Sequence, residues 1–217
     1  MRPTDSWRKA RVTAGLCILT AACWLILAVL GRDAWAELWA GFFPIRLALP
    51  PDPSLAPVWL TPLTATLVHA GFIHVAFNLV FLALLGRRVE NVLGPVSLLI
   101  LYLVGAYAAA GAYHAAAPYN LMPAIGAGGA VASVVGAYAI LYGRNRLGRL
   151  SGRPAIWLGA LWGMAAWTFI QLVLGLAVGA VPLAADALAP AAAAPAGGFL
   201  AGMLLANPLL RFRWRNA

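Results

Sequence analysis

Charge is what this chain has least of. Only 10% of its 217 residues are Asp, Glu, Lys or Arg, and six are acidic. Water-soluble domains carry about 25% charged residues. A chain this poor in charge, 63% apolar and with mean hydropathy +0.86, cannot present a surface that water would solvate. Cysteine is scarcer still: Cys17 and Cys23 lie six residues apart in one apolar run. That excludes a disulfide framework and any CxxC redox or zinc motif. Histidine is confined to His69, His74 and His114, so the sequence beyond residue 114 lacks the most frequent general base. No long polar stretch is present either, which leaves no room for a separate soluble domain.

What is present is apolar length. Six stretches, about 13–30, 65–86, 95–113, 124–142, 155–182 and 191–210, approach the roughly 20 residues that cross a bilayer. The expected fold class is an all-α membrane protein of six transmembrane helices, one domain over 1–217, with basic tails at 1–12 and 211–217. The first stretch exceeds the usual h-region of about 7–15 residues, so it reads as a span rather than a cleaved leader.

The formal charge of +9 follows the spans. Arg2, Arg8, Lys9 and Arg11, then Arg87 and Arg88, then Arg144, Arg146, Arg149 and Arg153, then Arg211, Arg213 and Arg215 fall on one side of an alternating bundle. Only Arg32 and Arg46 fall on the other. The positive-inside rule places both termini in the cytoplasm. It also assigns the cations to anionic lipid headgroups rather than nucleic acid. The expected location is a bacterial inner membrane, with membrane lipids and other transmembrane proteins as partners.

The longest outside connection, 31–60, contains Trp35, Leu38, Trp39, Phe42 and Phe43 at helical spacing. This is the stripe of an amphipathic helix lying in the interface. It reads as a membrane-anchored loop, with a lateral gate or substrate platform as the functional alternative. Prolines 50, 51, 53, 57 and 62 keep the following chain extended. "AAAPYNLMP" and "DALAPAAAAP" read as short outside loops, and there is no internal repeat of the inverted-transporter kind.

Polar groups inside apolar spans are costly and therefore informative. The second stretch opens "HAGFIHVAFNLVF", in which His74 and Asn78 share a helix face at i, i+4 while His69 lies off it or before the helix. Such groups serve either as glue between helices, worth about 0.6 kcal/mol each, or as donors aimed at a carbonyl or oxyanion. Gly126, Gly128, Gly129 and Gly136 open and line the fourth stretch, and Gly198 and Gly202 form GxxxG in the sixth. These spacings bring two helix backbones together. Gln171, alone in the fifth stretch, either bonds a neighbour or faces a partner.

Taken in order, H-x4-H-x3-N, "GRRVENVLG", "IGAGGA" and "PAGGFLAG" resemble the rhomboid family of intramembrane serine proteases across about residues 57–205. The resemblance implies a six-helix bundle in which a serine of GxSG attacks a peptide carbonyl and a histidine of the sixth helix takes its proton. Side chains equivalent to His74 and Asn78, with the backbone N–H at the serine position, hold the oxyanion. Here the nucleophile position is Gly128 and the base position Pro195, and an aromatic that supports the base is Ala132. No shift of alignment restores a base, because no histidine follows His114. Ser133, five residues on, lies about 7.5 Å deeper.

The resemblance thus implies a pseudoprotease without catalytic residues or cofactor. It retains His69, His74, Asn78 and the Gly128 N–H for binding membrane segments or stabilising a complex. The sequence admits three other readings. They are an active protease with a displaced catalytic group, a metal or haem subunit built on the three histidines, and a transporter. The histidines lack a nearby carboxylate or cysteine, and no span interior holds an ionisable stepping stone. Glu90, beside Arg87 and Arg88, is expected to pair locally and fix the cytoplasmic corner.

Overall fold

The computed structural model describes residue 7 and residues 10–143, 146, 147 and 150–215. Much of the expected charge asymmetry rests on Arg2, Arg8, Lys9, Arg144 and Arg149, which lie outside the described residues. Seven helices carry the architecture: α1 (Arg11–Leu30), α2 (Asp33–Ala40), α3 (Phe72–Leu93), α4 (Pro95–Ala116), α5 (Gly128–Leu141), α6 (Arg153–Ala177) and α7 (Ala185–Arg215). Of these α1, α3, α4, α6 and α7 are long and apolar enough to cross a membrane. The fourth expected stretch, α5, is helical over only 14 residues, which is short for a span. Its first residues, 124–127, are a loop turned by Gly126 at φ +94.

Other boundaries differ from the expectation for identifiable reasons. Helix α3 begins at Phe72 rather than residue 65, and continues through a π-helical turn at Leu82–Gly86 to Leu93. It stops where Gly94, at φ +88, reverses the chain into α4 behind Pro95. The fifth stretch ends at Ala177, and α7 starts at Ala185, so the alanine-rich "DALAPAAAAP" is helical instead of a loop. Alanine is the best helix former, and here that preference wins against Pro190 and Pro195 inside the helix. The amphipathic helix is the eight-residue α2, ending at Ala40. Trp35 and Leu38 are exposed on it, and Trp39 stacks on Trp35 at 5.6 Å. Phe42 leaves the expected stripe: it is buried and pairs its backbone with Ala124.

The core forms around α5. Val131, Val134 and Ala137 of α5 pack with Leu98 and Leu101 of α4 and with Phe199 and Met203 of α7, all fully or nearly fully buried. Glycine places the backbones. A Cβ at Gly198 would land on the carbonyl oxygen of Gly129, one at Gly202 on that of Ser133, and one at Gly136 on that of Phe199. The α5–α7 contact is therefore backbone on backbone, a close approach that only glycine permits.

Helix α6 joins differently. Trp167 wedges against Phe77 and Phe81 of α3, at ring distances of 5.7 and 4.9 Å, while Trp162, Phe169 and Val173 remain exposed.

Glu90 corrects the expectation of a local pairing. Its buried carboxylate accepts from the backbone N–H groups of Val12 and Thr13, at 2.9 and 2.7 Å, and from Thr13 Oγ1 at 2.6 Å. The first turn of α1 has no side-chain cap of its own. Orphan N–H groups and a positive helix end draw the carboxylate across the bundle.

Candidate functional site

The mouth of α5 is clamped from three directions. Phe42 and Ala124 exchange backbone hydrogen bonds of 3.1 and 2.9 Å, the Gly126 N–H donates to Ala65 O at 2.9 Å, and the Ala127 N–H donates to His69 Nε2 at 3.2 Å. His69 lies before α3 in a buried loop and is engaged in holding the α5 entrance. His74 follows on the first turn of α3, its ring 5.0 Å from that of His69 in an edge-to-face arrangement. It packs on Gly126, where a Cβ would stand 2.6 Å from the His74 Cε1. Both the positive φ and this ring exclude a side chain at residue 126.

Asn78, one turn below and fully buried, donates from Nδ2 to the His74 carbonyl at 3.0 Å. Its Oδ1 is left without a hydrogen-bond partner, as is His74 Nδ1. Asn78 Oδ1 faces Gly128, 3.6 Å from the position a Cβ would take there. Asn78 thus turns its donor into its own helix and presents an acceptor to Gly128. An oxyanion needs donors, so this side chain would have to rotate before serving one.

A cavity of about 140 Å³ lies over this mouth, lined by His74, Gly126, Gly128, Gly129, Gln171 and Pro195 among mostly alanine and other apolar neighbours. The structure brings Gly128 and Pro195, the residues expected at the nucleophile and base positions, to one space. Gln171 of α6 lines the same cavity, and its Nε2 occupies the room a Cβ at Gly128 would need. Gln171 stands out in the sequence as a polar residue in an apolar stretch. Which way it pointed was not legible. Gly136, Gly198 and Gly202 lie away from the cavity, in the α5–α7 contact.

Ser133 is fully buried, with Oγ lacking a partner and Cβ against Gly105 of α4. It does not line the cavity. Ala132, at the position of the supporting aromatic, is also fully buried. Among the described residues no three of His, Cys, Asp and Glu converge as a metal-ligand group.

A family model described as a rhomboid domain matches residues 57–212. The chain belongs to the rhomboid family. Its helical, multi-pass membrane character agrees with that membership. Among curated proteins none matches the chain. The matched segment of this rhomboid protein takes in His69, His74, Asn78, Gly128, Gln171 and Pro195, so the whole cavity described above, apart from Phe42, belongs to the family domain.

Proposed function

We propose that this rhomboid protein is a pseudoprotease, which receives transmembrane segments of other proteins at the cavity over α5 without cutting them. One observation carries the reading: the Gln171 carboxamide fills the space beside Gly128 that a nucleophilic side chain would use, with Pro195 in the same cavity. The chemistry that proteolysis requires is a nucleophile, a base and donors to an oxyanion. Removal of triad members can leave about 10³–10⁴-fold acceleration over water, against the roughly 10⁶-fold or more of working enzymes.

What remains suits binding. His74 Nδ1 and Asn78 Oδ1 are polar atoms without partners beside an apolar cavity, and such atoms in lipid favour a hydrogen-bonding guest. The proposed topology has six spans, counting α5 as one held inside the bundle, and both termini on the cytoplasmic side of a bacterial inner membrane.

A serine-directed fluorophosphonate applied to the purified protein is expected to leave it unlabelled, and a model transmembrane substrate to stay whole. Labelling that disappears in Ser133→Ala would overturn the reading. Changing His74 and Asn78 together to Leu is expected to weaken recovery of partners from native membranes by roughly fivefold to hundredfold, at about 0.5–1.5 kcal/mol per hydrogen bond. Unchanged recovery by a less thermostable double variant would make the two side chains helix glue instead. Reporter fusions within residues 178–184 are expected outside the cytoplasm; a cytoplasmic signal there would break the six-span topology.

A further inference from the structure

Helix α5 starts without a side-chain cap. The residue that flanks it is Ala127, and the first bond of its backbone ladder runs from the Val131 N–H to Ala127 O at 2.8 Å. The N–H groups of Gly128, Gly129 and Ala130 precede that ladder and are its orphan donors. All three residues line the cavity, which therefore meets the positive end of the helix.

The α3 side presents an acceptor. Only an N–H can serve the His74 carbonyl, so the Asn78 atom 3.0 Å from it is nitrogen, and the oxygen is the atom that faces Gly128. That oxygen is buried and has no hydrogen-bond partner. Gln171 Nε2 reaches the same point from α6 without bonding to it. A carboxamide nitrogen and a carboxamide oxygen thus converge on the place where a Gly128 side chain would stand.

Size and charge narrow what can enter. The cavity measures about 140 Å³; an apolar cavity of about 150 Å³ holds one benzene, whereas a helix is about 10–12 Å across. One side chain fits, and a helix does not. Among the described residues no Asp, Glu, Lys or Arg lines the cavity, so an ion would be buried there without a counter-charge.

We propose that the group received is a neutral carboxamide, the Asn or Gln side chain of a membrane segment. Its oxygen accepts from the N–H groups that open α5, and its nitrogen donates to Asn78 Oδ1 once Gln171 has swung aside. Granted the reading that this cavity receives membrane segments, the guest is recognised by that one side chain. A carboxylate would suit the N–H groups but set its charge against Asn78 Oδ1. An ammonium would suit Oδ1 but face the positive helix end. A hydroxyl carries donor and acceptor on one atom; an amide carries them on two and serves both walls at once. Gln171 supplies the same chemistry from within and holds the space when no guest is bound. A carboxamide in lipid is costly until partnered, which gives a segment bearing one a reason to dock.

The test titrates the purified full-length protein in nanodiscs with hexanamide, hexanoate, hexylamine and hexan-1-ol, reading binding by saturation-transfer NMR against empty nanodiscs. Hexanamide is expected to bind most tightly. Gln171→Ala removes the internal occupant and should tighten hexanamide about tenfold, the effect of one hydrogen bond no longer competed for. Asn78→Leu should abolish the preference for the amide; if that variant does not fold, the Gln171→Ala arm decides alone. A Leu-Ala transmembrane peptide with one Gln near its outer end should then bind Gln171→Ala more tightly than its all-apolar parent. Hexanamide binding with neither peptide bound would uphold the chemistry of the site and remove the reading that it serves membrane segments. Hexanoate, hexylamine or hexan-1-ol binding as tightly as hexanamide, or hexanamide binding unchanged by Gln171→Ala, would overturn the proposal.

Discussion

The two faces of α5 are joined to their neighbours by different means. Toward α7 the contact is carbonyl against glycine at Gly129–Gly198, Ser133–Gly202 and Phe199–Gly136, with no side chain between. Toward α6 the contact is made by side chains, and room remains at both ends: the cavity at Gly128, into which Gln171 reaches, and a cleft at Tyr142. Backbone cannot change rotamer, so the first face has one arrangement. A glutamine can swing away, so the second face can admit something else. The cavity at Gly128 lies on the adaptable side.

The sharpest way to break this contrast is Gly202→Val. Its Cβ would fall on the Ser133 carbonyl inside a buried helix pair, and with no side chain to yield the cost should reach about 3 kcal/mol or more. Loss of a monodisperse peak in detergent, or a large drop in unfolding temperature, would be the readout. Near-normal stability would mean that the α5–α7 contact also yields.

A smaller and reversible effect is expected across the other face. Gly128→Ala should destabilise by about 1–2 kcal/mol because the methyl meets Gln171 Nε2. In Gly128→Ala with Gln171→Ala the obstruction is gone, and a double-mutant cycle should return a favourable coupling of about 1 kcal/mol. Strict additivity would place Gln171 away from Gly128 in solution. Smallest of all is Gly159→Leu, expected within about 0.5 kcal/mol of the parent in neutral lipid, since its Cβ enters open space.

Residues differ in how much of their position could be read ahead. The GxxxG of Gly198 and Gly202 was legible because a spacing of four on a helix is geometry carried by the sequence itself. His74 and Asn78 were legible as one face for the same reason. Their hydrogen-bond directions were not: Asn78 bonds back to the His74 carbonyl, a choice set by what surrounds it. Glu90 looked like the partner of its neighbours Arg87 and Arg88, yet binds residues more than 70 positions away. Nothing along the chain announces that the first turn of α1 arrives beside it. The amphipathic stripe through Phe43 ended early because Phe42 has a backbone partner in Ala124, a contact between distant loops.

The sequence by itself determined the solvent, since a chain with this little charge can bury its backbone only in helices within lipid. It also determined that no histidine stands anywhere after residue 114, a fact no fold can alter. Only the tertiary structure decided that Gly128 and Pro195 share one cavity and that Gln171 enters it from a third helix. Periodicity specifies which face a residue occupies on its own helix. The rotation and depth of one helix against another come from the sum of many packed contacts, and no local pattern contains that sum.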